Sequence, residues 1–280
     1  MILSIRHLKK TYDMGGENVV HALTDVDLEV ERGEFMSIMG PSGSGKSTLL
    51  NMIGCLDRPD SGSIAIDGVD VTTMPARRLP DVRGRKVGFI FQTFNLVPTL
   101  SAIENVELPM RYAGVKGKKA RPAALQALAK VGLEDRASHF PAQLSGGQAQ
   151  RVAIARALAL EPAIILADEP TGQLDSKSSE LVMNMLRELS ETQGQTFIIV
   201  THDPIVGAAT DRVVRMSDGG VASDEQTHWP ELKQEPGSAL ALRRDAAPTA
   251  VTPANGNGRL DQQMQHIRAT VNAIIADLEH

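Results

Sequence analysis

The pattern of apolar and polar positions changes along this chain, and each change predicts a different kind of element. Up to about residue 70 the apolar period is two: Val26, Leu28 and Val30 alternate with acidic residues, and Ile64 and Ile66 alternate between Gly62 and Gly68. That spacing predicts short strands with one buried face. Residues 34–39 read as a strand running straight into a glycine-rich loop, after which Leu49, Met52, Ile53 and Leu56 recur at helical spacing. Residues 87–91 read as another strand, followed by Gln92. From about 94 to 160 the period is helical, with Ser101-Ala102-Ile103-Glu104 and Ser145-Gly146-Gly147-Gln148 each fitting a capping box that starts a helix. Strand character returns at 163–167, 196–201 and 213–216. The simplest arrangement is a parallel sheet interrupted by a helical insertion.

After about 223 the composition shifts. Residues 234–258 are rich in Pro, Ala, Gly, Thr and Asn with little periodicity, which reads as a flexible linker. Leu260, Met264, Ile267, Val271, Ile274 and Leu278 then follow at 4-3-4-3-4 spacing, a heptad seam on one helix. The seam suits docking on the chain's own body, pairing with a second copy, or binding a partner. Its polar face is only weakly cationic, which argues against a helix lying on a membrane surface. No internal repeat is visible.

Charge and cysteine content narrow the function classes. Lys plus Arg total 29 against 34 Asp plus Glu, so no global basic field points to nucleic acid. The single cysteine, Cys55, excludes an intramolecular disulfide framework and reads as a buried thiol in the helix after the glycine-rich loop. No apolar run approaches the ~18–20 residues needed to span a bilayer. The expectation is a cytoplasmic chain whose membrane role, if any, comes through a partner.

Three segments carry chemistry. Gly40-Pro41-Ser42-Gly43-Ser44-Gly45-Lys46-Ser47 lies between a strand and a helix, the context a phosphate-binding loop requires. Gly43 and Gly45 let backbone amides turn towards anionic oxygens, and the following helix offers its positive end. Lys46 can reach β- and γ-phosphates, the Ser47 hydroxyl can ligate Mg²⁺, and Thr48 adds a candidate α-phosphate contact. Asp168-Glu169 ends an apolar run, so a buried strand delivers two carboxylates that point differently. One suits the Mg²⁺ shell and the other suits polarising an attacking water, although such a pair elsewhere often only closes a turn. Leu144-Ser145-Gly146-Gly147-Gln148 places a capped, glycine-rich helix start about a hundred residues after the phosphate loop. Taken alone it is an ordinary capped helix or a second anion site.

In order and spacing these segments resemble the ATP-binding subunits of the ATP-binding-cassette (ABC) transporter family. The resemblance covers roughly residues 1–222. It implies an α/β fold: a P-loop NTPase (RecA-like) core with an antiparallel β subdomain (1–93 and 162–222) and a helical signature subdomain (94–161). A linker (223–258) and a C-terminal amphipathic helix (259–280) would follow. The resemblance further implies that Tyr12 stacks on adenine, that Gln92 senses Mg²⁺ alongside Ser47 and Asp168, and that His202 contacts the γ-phosphate. Glu169, His202 and Lys46 would be catalytic. Gly172-Gln173-Leu174-Asp175 is similar to the loop that crosses a head-to-tail dimer interface, and 145–148 to the signature that touches the nucleotide of a second copy. ATP and Mg²⁺ would be the ligands. The partners would be a second copy and separately encoded membrane permease subunits, which would hold the chain on the inner face of the membrane.

The segments at 12–23, 51–57 and 91–96 are similar to the lipoprotein-releasing and macrolide-export branch. Ala149 and Gln173 depart from commoner residues without removing a catalytic group. Phe94, Leu96 and Val97 either line the groove that receives a membrane subunit or pack in the core. Export powered by dimer closure is the function implied. Transmembrane signalling without net transport is the alternative. A role in DNA repair or translation is disfavoured, because the chain has one cassette and no long coiled-coil insertion.

Overall fold

The structure is a computed structural model that describes residues 1–13, 15 and 19–227. The period-two segments form β1 (Leu3–Asp13) and β2 (Val19–Val30), a long antiparallel pair. The next strand, β3 (Phe35–Met39), is buried at every residue and leads through the glycine-rich loop into α1 (Lys46–Ile53). Then come β4 (Ser61–Ile66) and β5 (Val69–Asp70), which complete a four-stranded antiparallel sheet in the order β2-β1-β4-β5.

The chain continues through α2 (Leu79–Lys86), β6 (Val87–Ile90), α3 (Ala102–Tyr112), α4 (Gly117–Lys130), α5 (Gly146–Leu158), β7 (Ile164–Asp168), α6 (Ser176–Gln193), β8 (Thr196–Val200), α7 (Pro204–Ala208), β9 (Arg212–Ser217) and β10 (Gly220–Gln226). The second sheet runs β10-β9-β3-β8-β7-β6, with all neighbours parallel except β10 against β9. The expected parallel sheet with a helical insertion is therefore present, carrying an antiparallel edge strand. That edge runs to Gln226, past 222, held by the Arg212 guanidinium bonded to both oxygens of Asp224 at 2.6 Å.

The central strands β3, β7 and β8 read as continuous apolar runs because both faces are covered. Alternate residues feed two cores. Phe35, Ile165, Ala167, Phe197 and Ile199 pack with α3, α4, α5 and α6. Met36, Ile38, Ile164, Leu166, Ile198 and Val200 pack with α1 and the antiparallel sheet. The sheet is thus the wall between a helical layer and a β layer, and its carboxyl edge is fixed from both sides. Cys55 lies just past α1 at φ 53, buried, its thiol pushed up to about 11 by that burial. The linker at 234–258 and the heptad helix at 259–280 lie outside the described residues.

Candidate active site

Strand β3 stops at Met39 and the chain turns through the phosphate loop. Gly45 sits at φ 99, and a Cβ there would stand 2.4 Å from the Ala22 carbonyl oxygen. Only glycine allows both the left-handed turn and that approach. Gly43, at φ 83, has nothing within 4 Å of where its Cβ would be, so its side of the loop is open. Pro41, Ser42, Gly43 and Ser47 are exposed, whereas Ser44 is buried beneath the loop, where its carbonyl accepts from the Gly219 amide at 3.2 Å. The first amides of α1 therefore face an open concave turn, which suits an anion. Lys46 Nζ donates to the Gly40 and Pro41 carbonyls at 2.8 and 2.7 Å. Burial lowers its pKa, while Glu169 and Asp168 act in the opposite direction.

The two carboxylates come from the same edge of the sheet. Register pairs Ile38 with Val200 and Val200 with Asp168, so β3, β8 and β7 end side by side. Asp168 is largely enclosed; burial first, then the Glu169 charge, pushes its carboxyl up to about 6 against the pull of Lys46. Glu169 continues the ladder through its amide to the Val200 carbonyl at 2.9 Å and then turns at φ 46. Its Oε2 accepts from Thr201 Oγ1 at 3.0 Å, and its Oε1 from the His202 amide at 2.9 Å. His202 Nδ1 stands 2.6 Å from the same Oε1, so that nitrogen carries the proton. Lys46, Asp168, Glu169 and His202 lie at this one edge of the sheet.

The fit of a divalent cation can be tested on the donor set. Ser47 hydroxyl, Gln92 amide and Asp168 carboxyl are hard oxygen donors of the kind Mg²⁺ takes. Asp168 is a mostly buried carboxyl already raised by a neighbouring anion. Added positive charge would relieve that penalty, so the residues fit the ion. Gln92 follows β6 and packs on Gly172, where a Cβ would stand 2.9 Å from Gln92 Nε2.

The signature segment is a capped helix start with both bonds of the box. The Gln148 amide donates to Ser145 Oγ at 3.3 Å, and the Ser145 amide donates to Gln148 Oε1 at 2.9 Å. Among the described residues these bonds stay inside 145–148 and do not reach the chain's own phosphate loop. Gly146 and Gly147 instead face Leu174 and Ser178. Asp175 caps α6, its carboxylate accepting from the Ser178 amide at 3.0 Å and hydroxyl at 2.7 Å, bonds that hold its carboxyl below the usual range. Tyr12, near the end of β1, donates its hydroxyl to Asp57 Oδ2 at 3.0 Å, with Lys10 Nζ 5.0 Å from its ring centre. Burial, then Asp57, raises the phenol pKa, so it stays neutral.

Three residues in the site's surroundings carried no sequence signal. Gln150 on α5 is buried and donates through Nε2 to the Pro170 carbonyl at 2.6 Å, one residue past Glu169. Arg156 on α5 donates to the carbonyls of Phe94 and Asn95, which sit in the left-handed region two and three residues after Gln92. Burial lowers its pKa to about 10. Thr201 holds Glu169. A polar residue inside an apolar helical stripe marks such positions only weakly.

No helix among the described residues is long and apolar enough to cross a membrane. The family model "ABC transporter" matches residues 23–172. An uncharacterized ABC transporter ATP-binding protein of Bacillus subtilis is 52% identical over 225 residues, 80% of this chain and 97% of that protein. The macrolide export ATP-binding/permease protein MacB of Aggregatibacter actinomycetemcomitans is 46% identical over 279 residues, 98% of this chain and 40% of that one. The solved ATP-binding cassette MJ0796 of Methanocaldococcus jannaschii, in a dimeric post-hydrolysis state bound to ADP and Pi, is 48% identical with a TM-score of 0.74, covering 81% of this chain and 99% of that chain. With a phosphate loop, a paired carboxylate edge and a capped signature helix on one RecA-like sheet, this chain belongs to the ABC transporter family, as one of its ATP-binding and ATP-hydrolysing subunits.

Proposed function

We propose that two copies of this chain close head to tail around two molecules of Mg·ATP and that the cycle of closure and hydrolysis drives membrane permease subunits. One observation carries the reading: β3, β8 and β7 end in register, so the phosphate loop, Thr201-His202 and Asp168-Glu169 share one edge. Ligands of open parallel sheets bind at such carboxyl edges. Main-chain amides of Gly40, Ser42, Gly43, Gly45 and Lys46 hold phosphate, with Pro41 and Ser44 shaping the loop. Lys46 leaves the Gly40 and Pro41 carbonyls for the β- and γ-phosphates, and Thr48 contacts the α-phosphate. Ser47, Gln92 and Asp168 would hold Mg²⁺, which when bound neutralises phosphate charge. Glu169 draws a proton from the attacking water, and His202 steadies the γ-phosphate. Tyr12 stacks on adenine.

Residues 145–148 are already a complete helix cap, with Ser145 and Gly146 exposed, which supports a role towards a second chain's phosphates, with Asp175 at the crossing between copies. The MJ0796 cassette is dimeric, and MacB by name joins an ATP-binding part to a permease, so a twin and a membrane partner are the expected company. The chain would then sit peripherally on the inner face of the membrane. Among the described residues its units are a core (1–93 and 162–226, the strand β10 running past the expected boundary at 222) and a helical signature subdomain (94–161). Macrolide-like or lipoprotein export fits the branch.

Glu169→Gln tests the cycle. Expected is loss of turnover with retention of ATP and a nucleotide-dependent dimer by size-exclusion chromatography. Retained turnover, or an ATP-bound monomer, would overturn the reading.

A further inference from the structure

The geometry points to Thr201 as the positioning residue that fixes the Glu169 carboxylate, holding one oxygen so that the other acts on water. The inference rests on Glu169 being the base. The two oxygens are held in different ways. Oε2 takes its bond from Thr201, which has no solvent exposure and whose amide is tied to the Ile38 carbonyl of β3 at 3.1 Å. Oε1 takes one bond from the His202 backbone amide at 2.9 Å and a second from the His202 ring, whose side chain is 77% exposed.

The Thr201 hydroxyl has one proton, and its direction is set. Oγ1 accepts from the Asp203 amide at 3.0 Å, which occupies a lone pair and leaves the O–H for Glu169. An ionised carboxylate can only accept, so this bond has one polarity. Thr201 therefore cannot let go of Oε2 without orphaning a buried hydroxyl, whereas the His202 ring can swing into solvent or onto phosphate at little cost while the His202 amide stays on Oε1. With Oε2 anchored by a buried hydroxyl, departure of the ring frees a lone pair on Oε1, which the amide still positions, and makes Oε1 the atom that takes the water's proton. The need for an anchor follows from Glu169 itself. Its backbone is in the left-handed region at φ 46, a strained conformation for a non-glycine residue that persists only where surrounding bonds hold it.

The test compares Thr201→Val, which keeps the shape and removes the hydroxyl, with Thr201→Ser, which keeps the hydroxyl. Expected is a kcat for ATP hydrolysis lowered about tenfold or more in the valine variant, with KM for ATP unchanged, and recovery in the serine variant. Placed on Glu169→Gln, Thr201→Val should leave ATP-dependent dimer formation as it was. If the valine variant loses ATP binding or dimer formation together with turnover, Thr201 is a structural residue and the inference is overturned. If its kcat equals that of the parent while Glu169→Gln is inactive, the positioning role fails and the base assignment stands. Full turnover in Glu169→Gln alone would instead remove the base assignment. Thr201→Ala carries the same expectations should the valine variant not fold.

Discussion

At the scale of single residues, the site is built from groups that already satisfy one another. Lys46 is bonded to its own loop carbonyls and Glu169 to Thr201 and His202, so these two charged groups are paired before nucleotide arrives. Binding exchanges these bonds for bonds to phosphate, which keeps the free protein stable without spoiling the site. The loop that permits the exchange depends on Gly45. Gly45→Ala must place a Cβ 2.4 Å from the Ala22 oxygen at a φ of 99. An L-residue pays ~1–2 kcal/mol for a left-handed turn before that clash is counted, and 1.4 kcal/mol is about tenfold in affinity. ATP affinity should fall at least tenfold by calorimetry, while the far-UV circular dichroism of the sheet and helices stays unchanged. Phosphate-loop residues were legible because their chemistry is local. Gln150, Arg156 and Thr201 were not, because each acts on a partner that only the fold brings near: Pro170, the 94–95 loop and Glu169.

At the scale of elements, the capping boxes explain where two functional helices begin. The Glu104 carboxylate accepts from both the amide and the hydroxyl of Ser101, at 2.8 and 2.6 Å. Those bonds lower its pKa, so it holds fewer protons folded than unfolded near its ordinary value. Its contribution is complete above the unfolded pKa and disappears as pH falls through the lowered folded value. The thermal-stability difference between the parent and Glu104→Gln should therefore be largest near pH 7 and shrink steadily as the pH is taken below about 4. At the second box, Ser145→Ala removes the Oγ acceptor of the Gln148 amide and should cost about 1 kcal/mol in urea unfolding. In the sheet, Phe197 is fully buried edge-on to Phe35, with ring centres 5.7 Å apart. Phe197→Ala should cost ~3–5 kcal/mol in the same assay. Both boxes and the buried strands were readable because period and cap chemistry coincide. Three helices, α2, α6 and α7, are not predicted, and α7 is only five residues long. In α2 only Leu79 is buried, so no apolar stripe exists to find. α6 is bracketed by the Asp175 cap and Gly194 at φ 64, but the segment was read as an interface loop and the stripe Val182, Leu186 and Leu189 after it was passed over.

At the scale of the whole molecule, the sheet divides labour. One face carries α1, which follows the phosphate loop, and the β layer, and the other carries α5 with the signature at its start. Within one chain the bonds of the signature stay inside its own helix cap. Each chain is thus proposed to hold two halves of two different sites. Complementation tests that arrangement most directly. Lys46→Ala and Ser145→Ala proteins, each inactive as a homodimer, are mixed and ATP hydrolysis is measured. In a mixed dimer one site would combine the intact phosphate loop of the Ser145→Ala chain with the intact signature of the Lys46→Ala chain. Hydrolysis is expected to reappear on mixing. A mixture no more active than its parents would mean that each chain supplies its own signature, and would contradict the shared site.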